Sequence, residues 1–362
     1  MSSKPSVIIF AGLHSGARPL TSYLVNNDLV SFVRIVDKYS VAPPTTYIGA
    51  EFPRILENPI VNYQQANLTK EGPVTKVFDP PEGVEPFSYV FDFTGTLQTH
   101  LSVELHIEGT AVPAFLIGRE ASKRKVKAYV RVTPPYYDTS LDKSTAHDET
   151  ENVKPTDPIG TWYHESLRIL ANIEDLPLVI LRHGLIYGPW IMGRVTCMIL
   201  MGPVYKELKE EFKSLWSSGV RANTVHAEDV AGACWTAAEW MSKLGRQEAN
   251  KIAGENIYFA NDKSKFGQVL GMPDPKSKLT APLFNVVDDT DTTLGNIVEL
   301  LSKLFGIKAG FHGFLHNTLA QVCLDYHFIN EVHMEAWTKV ITESKPPVPN
   351  TPLSPYMESF ML

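Results

Sequence analysis

The chain has 362 residues, 44 % of them hydrophobic and 20 % charged, which suffices for one large α/β domain, or a domain with a smaller lobe, around a buried core. Its net charge of −7 speaks against general nucleic-acid binding, and the basic run Lys123–Lys127 reads as a solvated helix end. The cysteines Cys197, Cys234 and Cys323 have no zinc or redox spacing, which points to a reduced, cytoplasmic setting. The apolar run near the N-terminus is only of strand length and carries no signal-peptide pattern. Trp190 to Val204 is too short to span a bilayer and is interrupted by Arg194.

Val7 to Ala11 reads as a buried strand running into Gly12-Leu13-His14-Ser15-Gly16, with helical residues from Pro19 to Asn26 and a second strand from Phe32 to Val36 that ends at Asp37. That order is a βαβ unit. Further strands are expected at 60–63, 88–93 and 128–132. A helix follows from Asp157, with Trp162, Leu167, Leu170 and Ile173 near helical spacing, and then a strand at 178–181. Such alternation predicts a Rossmann-type doubly wound parallel sheet. Later, 284–287 reads as a strand. Leu294, Ile297, Val298, Leu301 and Leu304 mark an amphipathic helix, with Asp291 available to cap it. The proline-rich residues 346–362 are expected to be extended, as a partner ligand or as a strap on the protein's own surface. His312 and His316 lack a third ligand, and no metal site is expected.

The glycine turn is where a dinucleotide diphosphate would meet backbone N–H groups and a helix N-terminus. Gly12, His14, Ser15 and Gly16 are the candidate cofactor residues. A third glycine is missing, and Arg18 or Pro19 stands near its place, with Arg18 able to approach a phosphate. An ordinary glycine turn is the plainer alternative. Asp37 lies where an acid would hold adenosine ribose hydroxyls, which favours NAD(H) over NADP(H), although Lys38 follows directly.

Several segments, in order, resemble the extended short-chain dehydrogenase/reductase (NAD-dependent epimerase/dehydratase) family over residues 1–305. They are Phe91-Asp92-Phe93-Thr94-Gly95, Val130-Arg131-Val132-Thr133 through Tyr137, Leu181-Arg182-His183 through Tyr187-Gly188-Pro189, Val225-His226-Ala227-Glu228-Asp229, and Phe284-Asn285-Val286-Val287-Asp288-Asp289. The resemblance implies cofactor contacts at Thr94, Gly95 and His183, a catalytic hydroxyl at Thr133, a small-molecule substrate, and a helix-paired homodimer. It also implies an interleaved C-terminal substrate lobe. Residues 1–185 and 222–262 would form the dinucleotide domain, 186–221 and 263–345 the lobe, with the substrate cleft between them.

The family's catalytic pair is Tyr-x-x-x-Lys on one helix face. Trp162-Tyr163-His164-Glu165-Ser166-Leu167-Arg168 places Tyr163 on the tyrosine and Leu167 where lysine belongs. Leucine brings no charge, and Arg168 is about 100° further round the helix. Three outcomes stay open: an oxidoreductase or epimerase/dehydratase with a modified proton relay through Thr133 and Tyr163, a catalytically weak or inactive dinucleotide-binding sensor or scaffold, or an unrelated reaction in the inherited cleft.

Overall fold

The computed structural model describes residues 4–98, 100–137, 147–155, 157–263, 267, 269–313 and 327–345. The proline-rich segment 346–362, His316 and Cys323 lie outside the described residues. The chain divides into two compact units. The first is Met1–Gly184, Gly188–Trp190 and Val225–Val286; the second is Leu185–Tyr187, Ile191–Thr224 and Val287–Leu362.

The first unit is built on eight strands. In chain order these are β1 (Ser6–Phe10), β2 (Phe32–Asp37), β3 (Val61–Gln65), β4 (Tyr89–Asp92), β5 (Ala128–Thr133), β6 (Leu178–His183), β10 (Gly254–Asn256) and β11 (Thr280–Val286). Their order across the sheet is β10-β11-β6-β5-β4-β1-β2-β3, parallel except for the β10–β11 pair. Every residue of β1, Ser6-Val7-Ile8-Ile9-Phe10, is buried. That is the continuous apolar run of a strand covered on both faces. Outside this sheet, among the described residues, lie the short strands β7 (Leu185–Tyr187), β8 (Phe212–Ser214), β9 (Thr224–His226) and β12 (Ala309–Phe311).

Helices cover the sheet. α1 (Arg18–Asn26) packs with α8 (Ala227–Ala253), which also lies against β5, β6 and β11. The main core joins β1, β4, β5 and β6 to α3 (Glu71–Val77), α5 (Val112–Lys123) and α6 (Pro158–Ala171). The Asp157 carboxylate caps α6 by accepting the Gly160 N–H at 2.7 Å, and Pro158 opens its first turn. Such a cap contributes about 1 kcal/mol. The Lys123 side chain, at the end of α5, is exposed as expected of a helix end.

β11 pairs with β6 in register Leu283 to Ile180 through Val286 to His183, so it belongs to the main sheet. The family resemblance places these residues in the lobe 263–345; the pairing with β6 puts them in the first unit instead. In the second unit, α7 (Arg194–Leu208) and α9 (Leu294–Phe305) pack with the parallel pair formed by β8 and β12 (Ala309–Phe311). The cap of α9 is Thr293, in a reciprocal box with Asn296, while the expected cap Asp291 pairs with Arg221 at 3.4 Å. Thr293-x-x-Asn296 satisfies two helix-end groups at once, which a carboxylate two residues earlier does not. No described helix is long and apolar enough to cross a membrane.

Candidate dinucleotide site

β1 leads toward β2 and β3 on one side, and β4 toward β5 and β6 on the other, so the connections diverge between the C-terminal ends of β1 and β4. Open parallel sheets bind ligands at that divergence. The glycine turn leaves β1 there. A Cβ on Gly12 would stand 2.5 Å from Ile35 Cγ2, so glycine lets the turn lie on β2. The Leu13 N–H donates to Asp37 Oδ2 at 3.0 Å and the Lys38 N–H to Oδ1 at 2.7 Å. Burial pushes the Asp37 carboxyl above its usual range, and the backbone N–H groups pull it back. A carboxylate has roughly four lone-pair directions, so Asp37 keeps acceptor capacity for hydroxyls.

The carbonyl of His14 accepts the Ala17 and Arg18 N–H groups, and its Nδ1 accepts the Gly16 N–H at 3.2 Å. Half-buried Ser15 is at the tip of the turn. Burial, with the His183 ring and the Arg18 guanidinium beside it, holds the His14 ring down to about 4. His183, at the end of β6, is likewise held to about 4 by burial and donates from Nδ1 to the Gly184 carbonyl at 2.6 Å. The structure therefore brings Gly12, His14, Ser15, Gly16, Asp37 and His183 to one edge of the sheet. Arg18 is there too, but its guanidinium donates to three backbone carbonyls.

Beneath Tyr163 lies a buried polar network that joins β4, β5 and α6. Asp92 and Arg131 pair at 2.8 Å with both side chains fully buried. Tyr129 donates its hydroxyl to Asp92 Oδ2 at 2.6 Å, and the Thr94 N–H donates to Oδ1 at 2.8 Å. Arg131 donates to Thr94 Oγ1 at 3.0 Å and to Ser166 Oγ at 3.2 Å. The signal was in the sequence: single charges inside apolar strands, as in Val90-Phe91-Asp92 and Val130-Arg131-Val132, must find partners.

The Tyr163 side chain is 4 % exposed, and its phenol lies against Gly95. A Cβ on Gly95 would stand 2.2 Å from the phenol oxygen, and the residue's φ of +150 also favours glycine. The Arg131 guanidinium is 5.7 Å from the Tyr163 ring centre. Burial nevertheless drives the Tyr163 pKa well above its ordinary value, with the nearby Tyr136 and Asp92 adding to the rise and Arg131 only partly opposing it. Thr133 is fully buried, and its hydroxyl donates to the Pro134 carbonyl at 3.5 Å. Leu167 is 1 % exposed and packs in the core with Tyr129, Leu178, Ile180 and Leu283. Leu167 also lines a small cavity with Tyr137, His164, Arg182 and Leu283, so the lysine position of the resemblance has the apolar core on one side and polar groups on the other.

A second polar cluster sits on α6. His164 Nε2 meets the Tyr258 carbonyl at 2.6 Å and so carries the proton, leaving Nδ1 to accept from the Tyr137 hydroxyl at 3.3 Å. Glu165 accepts the Ala260 N–H at 2.8 Å, and burial pushes its carboxyl up to about 7. Arg168 donates to the carbonyls of Ile257 and Asp274 at 2.6 and 3.1 Å. These groups fasten the chain that follows β10 onto α6. Among the described residues no group of His, Cys, Asp or Glu is arranged to hold a metal.

No protein-family model matches this sequence, and no curated protein sequence does either. Solved structures do. ADP-L-glycero-D-manno-heptose-6-epimerase of Helicobacter pylori is similar over 85 % of each chain, with 15 % identity and a TM-score of 0.60. The UDP-glucose 4-epimerase of Thermotoga maritima, solved with UDP-glucose, is similar over 85 % of this chain and 86 % of its own, with 14 % identity and a TM-score of 0.58. The Bordetella bronchiseptica enzyme WbmG, in complex with NAD and UDP, is similar over 93 % and 96 %, with 12 % identity and a TM-score of 0.59. The chain shares its fold with these solved structures, a mostly parallel eight-stranded sheet with flanking helices.

Proposed function

We propose that this chain binds NAD(H), in preference to NADP(H), across the β1/β4 divergence, and uses it to reduce a small carbonyl or sugar-type substrate. The observation that carries the reading is the Asp37 carboxylate bonded back to the glycine turn, with acceptor capacity left for ribose hydroxyls. Similar folds solved with NAD support it. Asp37 would hold the adenosine ribose and repel a 2′-phosphate. The diphosphate would meet the Gly16 N–H once the His14 ring turns aside, and Thr94 and Gly95 would contact the cofactor where the chain leaves β4. When bound, the reduced cofactor supplies a hydride.

The direction of the chemistry follows from Tyr163. Epimerase and dehydratase cycles that begin by oxidising an alcohol need a base for the hydroxyl proton. Tyr163 is a poor one: burial favours the neutral phenol, Leu167 offers no ammonium, and Asp92 already balances the charge of Arg131. A neutral phenol is instead a hydrogen-bond donor and proton source, suited to the oxygen of a carbonyl that gains a hydride: its proton would pass to the resulting alkoxide to complete the alcohol, and the tyrosinate would take a proton back from solvent. Thr133 would steady the same oxygen after its hydroxyl turns from Pro134. The test is calorimetric titration with NAD⁺, NADH, NADP⁺ and NADPH, followed by NADH consumption with a panel of quinones, enones and keto-sugars. Tighter binding of NAD(H) with consumption lost in Tyr163→Phe is the expected result. Binding without consumption would refute the reductase and favour a sensor; no binding would end the dinucleotide reading.

A further inference from the structure

Arg18 opens α1, yet its side chain is buried rather than extended into water. Nη1 donates to the Leu13 carbonyl at 2.7 Å and to the Tyr47 carbonyl at 3.0 Å, and Nη2 donates to the Trp190 carbonyl at 2.7 Å. The guanidinium also stacks 5.5 Å from the centre of the Tyr47 ring. The three carbonyls belong to three connections: the glycine turn after β1, the connection after β2, and the 188–190 segment beyond β6. β1, β2 and β6 run parallel, so all three connections leave the edge of the sheet where ligands bind.

Desolvating a guanidinium is costly unless its N–H groups are all met. Here neutral carbonyls accept three hydrogen bonds from Nη1 and Nη2. Its pKa is lowered by burial, with only partial opposition from Tyr47 and Glu51. Glu51 makes no close pair with it, and its Oε2 is buried without a hydrogen-bond partner. The connections are packed to suit: Gly49 has a φ of +77, and a Cβ there would stand 3.3 Å from both Glu51 Oε2 and Trp190 Cβ. The desolvation of Arg18 is thus offset by hydrogen bonds that order three loops.

We propose that Arg18 is the positioning residue of the dinucleotide site, a clasp that draws the connections after β2 and β6 onto the glycine turn so that they open and close as one. The proposal rests on the dinucleotide reading above. It assigns Arg18 to the loops around the diphosphate position and not to the diphosphate itself. A planar fork reaches three carbonyls in fixed directions, which the point charge of lysine does not reproduce. The clasp also fixes the chain at Trp190, one residue before it passes into the second unit.

Wild type, Arg18→Met and Arg18→Lys are compared by peptide-resolved hydrogen exchange and by NADH fluorescence titration. Methionine keeps the apolar stem and removes the fork. In both variants exchange should quicken by about tenfold or more in 45–51 and 188–190 together, with β5 unchanged. NADH should bind about tenfold more weakly, by the same factor at low and high salt. Loosening of one connection alone, or of both with NADH affinity intact, overturns the clasp. A loss of affinity that fades at high salt marks a direct phosphate contact and overturns it too. Should the variants fail to fold, wild type decides: NADH must slow exchange in both connections by the same factor, and slowing in only one refutes coupling. A wild type that binds no dinucleotide removes the dinucleotide reading and this role with it. Normal NADH binding with independent loops removes this role alone.

Discussion

Asp92→Asn removes one charge from the network beneath Tyr163 and leaves the Arg131 guanidinium uncompensated in a fully buried position. Breaking a buried ion pair from one side costs about 3–5 kcal/mol. Asparagine can still accept from the Thr94 N–H, so the lower figure is expected, about 3 kcal/mol, and the melting temperature should fall by roughly 6–12 °C. The same change alters Tyr163. At 5.7 Å from the ring centre, a unit charge no longer balanced by Asp92 favours tyrosinate by about 3 kcal/mol at an effective dielectric of 20. That is on the order of a hundredfold shift toward the ionised phenol. The assay pairs denaturant unfolding with ultraviolet titration of the tyrosines, read as the difference from a Tyr163→Phe background. Unchanged stability would show that the pair is not buried in solution. A destabilised variant whose Tyr163 titration stays in place would show that Arg131 does not face the phenol, and the account of its neutrality would fail.

Leu167→Lys should not awaken the site. Residue 167 lies in the core with Ile180 and Leu283, so an ammonium there should cost about 3 kcal/mol or more in denaturant unfolding and leave the Tyr163 titration unmoved. His14→Ala should tighten NADH binding a few-fold in calorimetry, because it frees the Gly16 N–H from Nδ1; weaker binding would make His14 a ligand. Glu165 is raised from 4.5 to about 7, so its ionisation opposes the fold. Its contribution is fully present below about pH 4.5 and is lost as pH rises through about 7, by up to roughly 3 kcal/mol. Unfolding of wild type and Glu165→Gln across that window checks it, since the variant's profile should be flatter.

The strands are legible because a sheet covered on both faces demands continuous apolar runs, and Val7–Phe10 and Leu178–Leu181 supply them between turn residues. The glycine turn and Asp37 were legible by order alone. Other features depended on contacts between residues far apart. Arg131 reads as an odd charge in a strand until Asp92, 39 positions earlier in the chain, is placed beside it. Helical spacing made Leu167 a neighbour of Tyr163 along α6, but spacing says nothing about what each side chain meets across the gap: Gly95 for one, Leu283 for the other. Arg18 looked free to approach a phosphate because carbonyls as distant as that of Trp190 carry no sequence signal. The cap of α9 was misplaced because Thr293 competes with Asp291 and wins through its partner Asn296.

α6 is buried from Trp162 to Ala171 without a break. Most helices keep a solvent face where substitutions accumulate at little cost; this one offers only Pro158 and Thr161 outside its buried set. It is closed by the sheet core on one side and, on another, by the chain after β10, which His164, Glu165 and Arg168 hold in place. Lineages of this protein should therefore drift slowly along α6. A replacement there should survive mainly when a second change, in the sheet or in the overlying chain, arrives with it. In a deep mutational library scored on abundance alone, with no substrate present, α6 should stand out as an intolerant stretch, and its tolerated variants should come disproportionately as pairs.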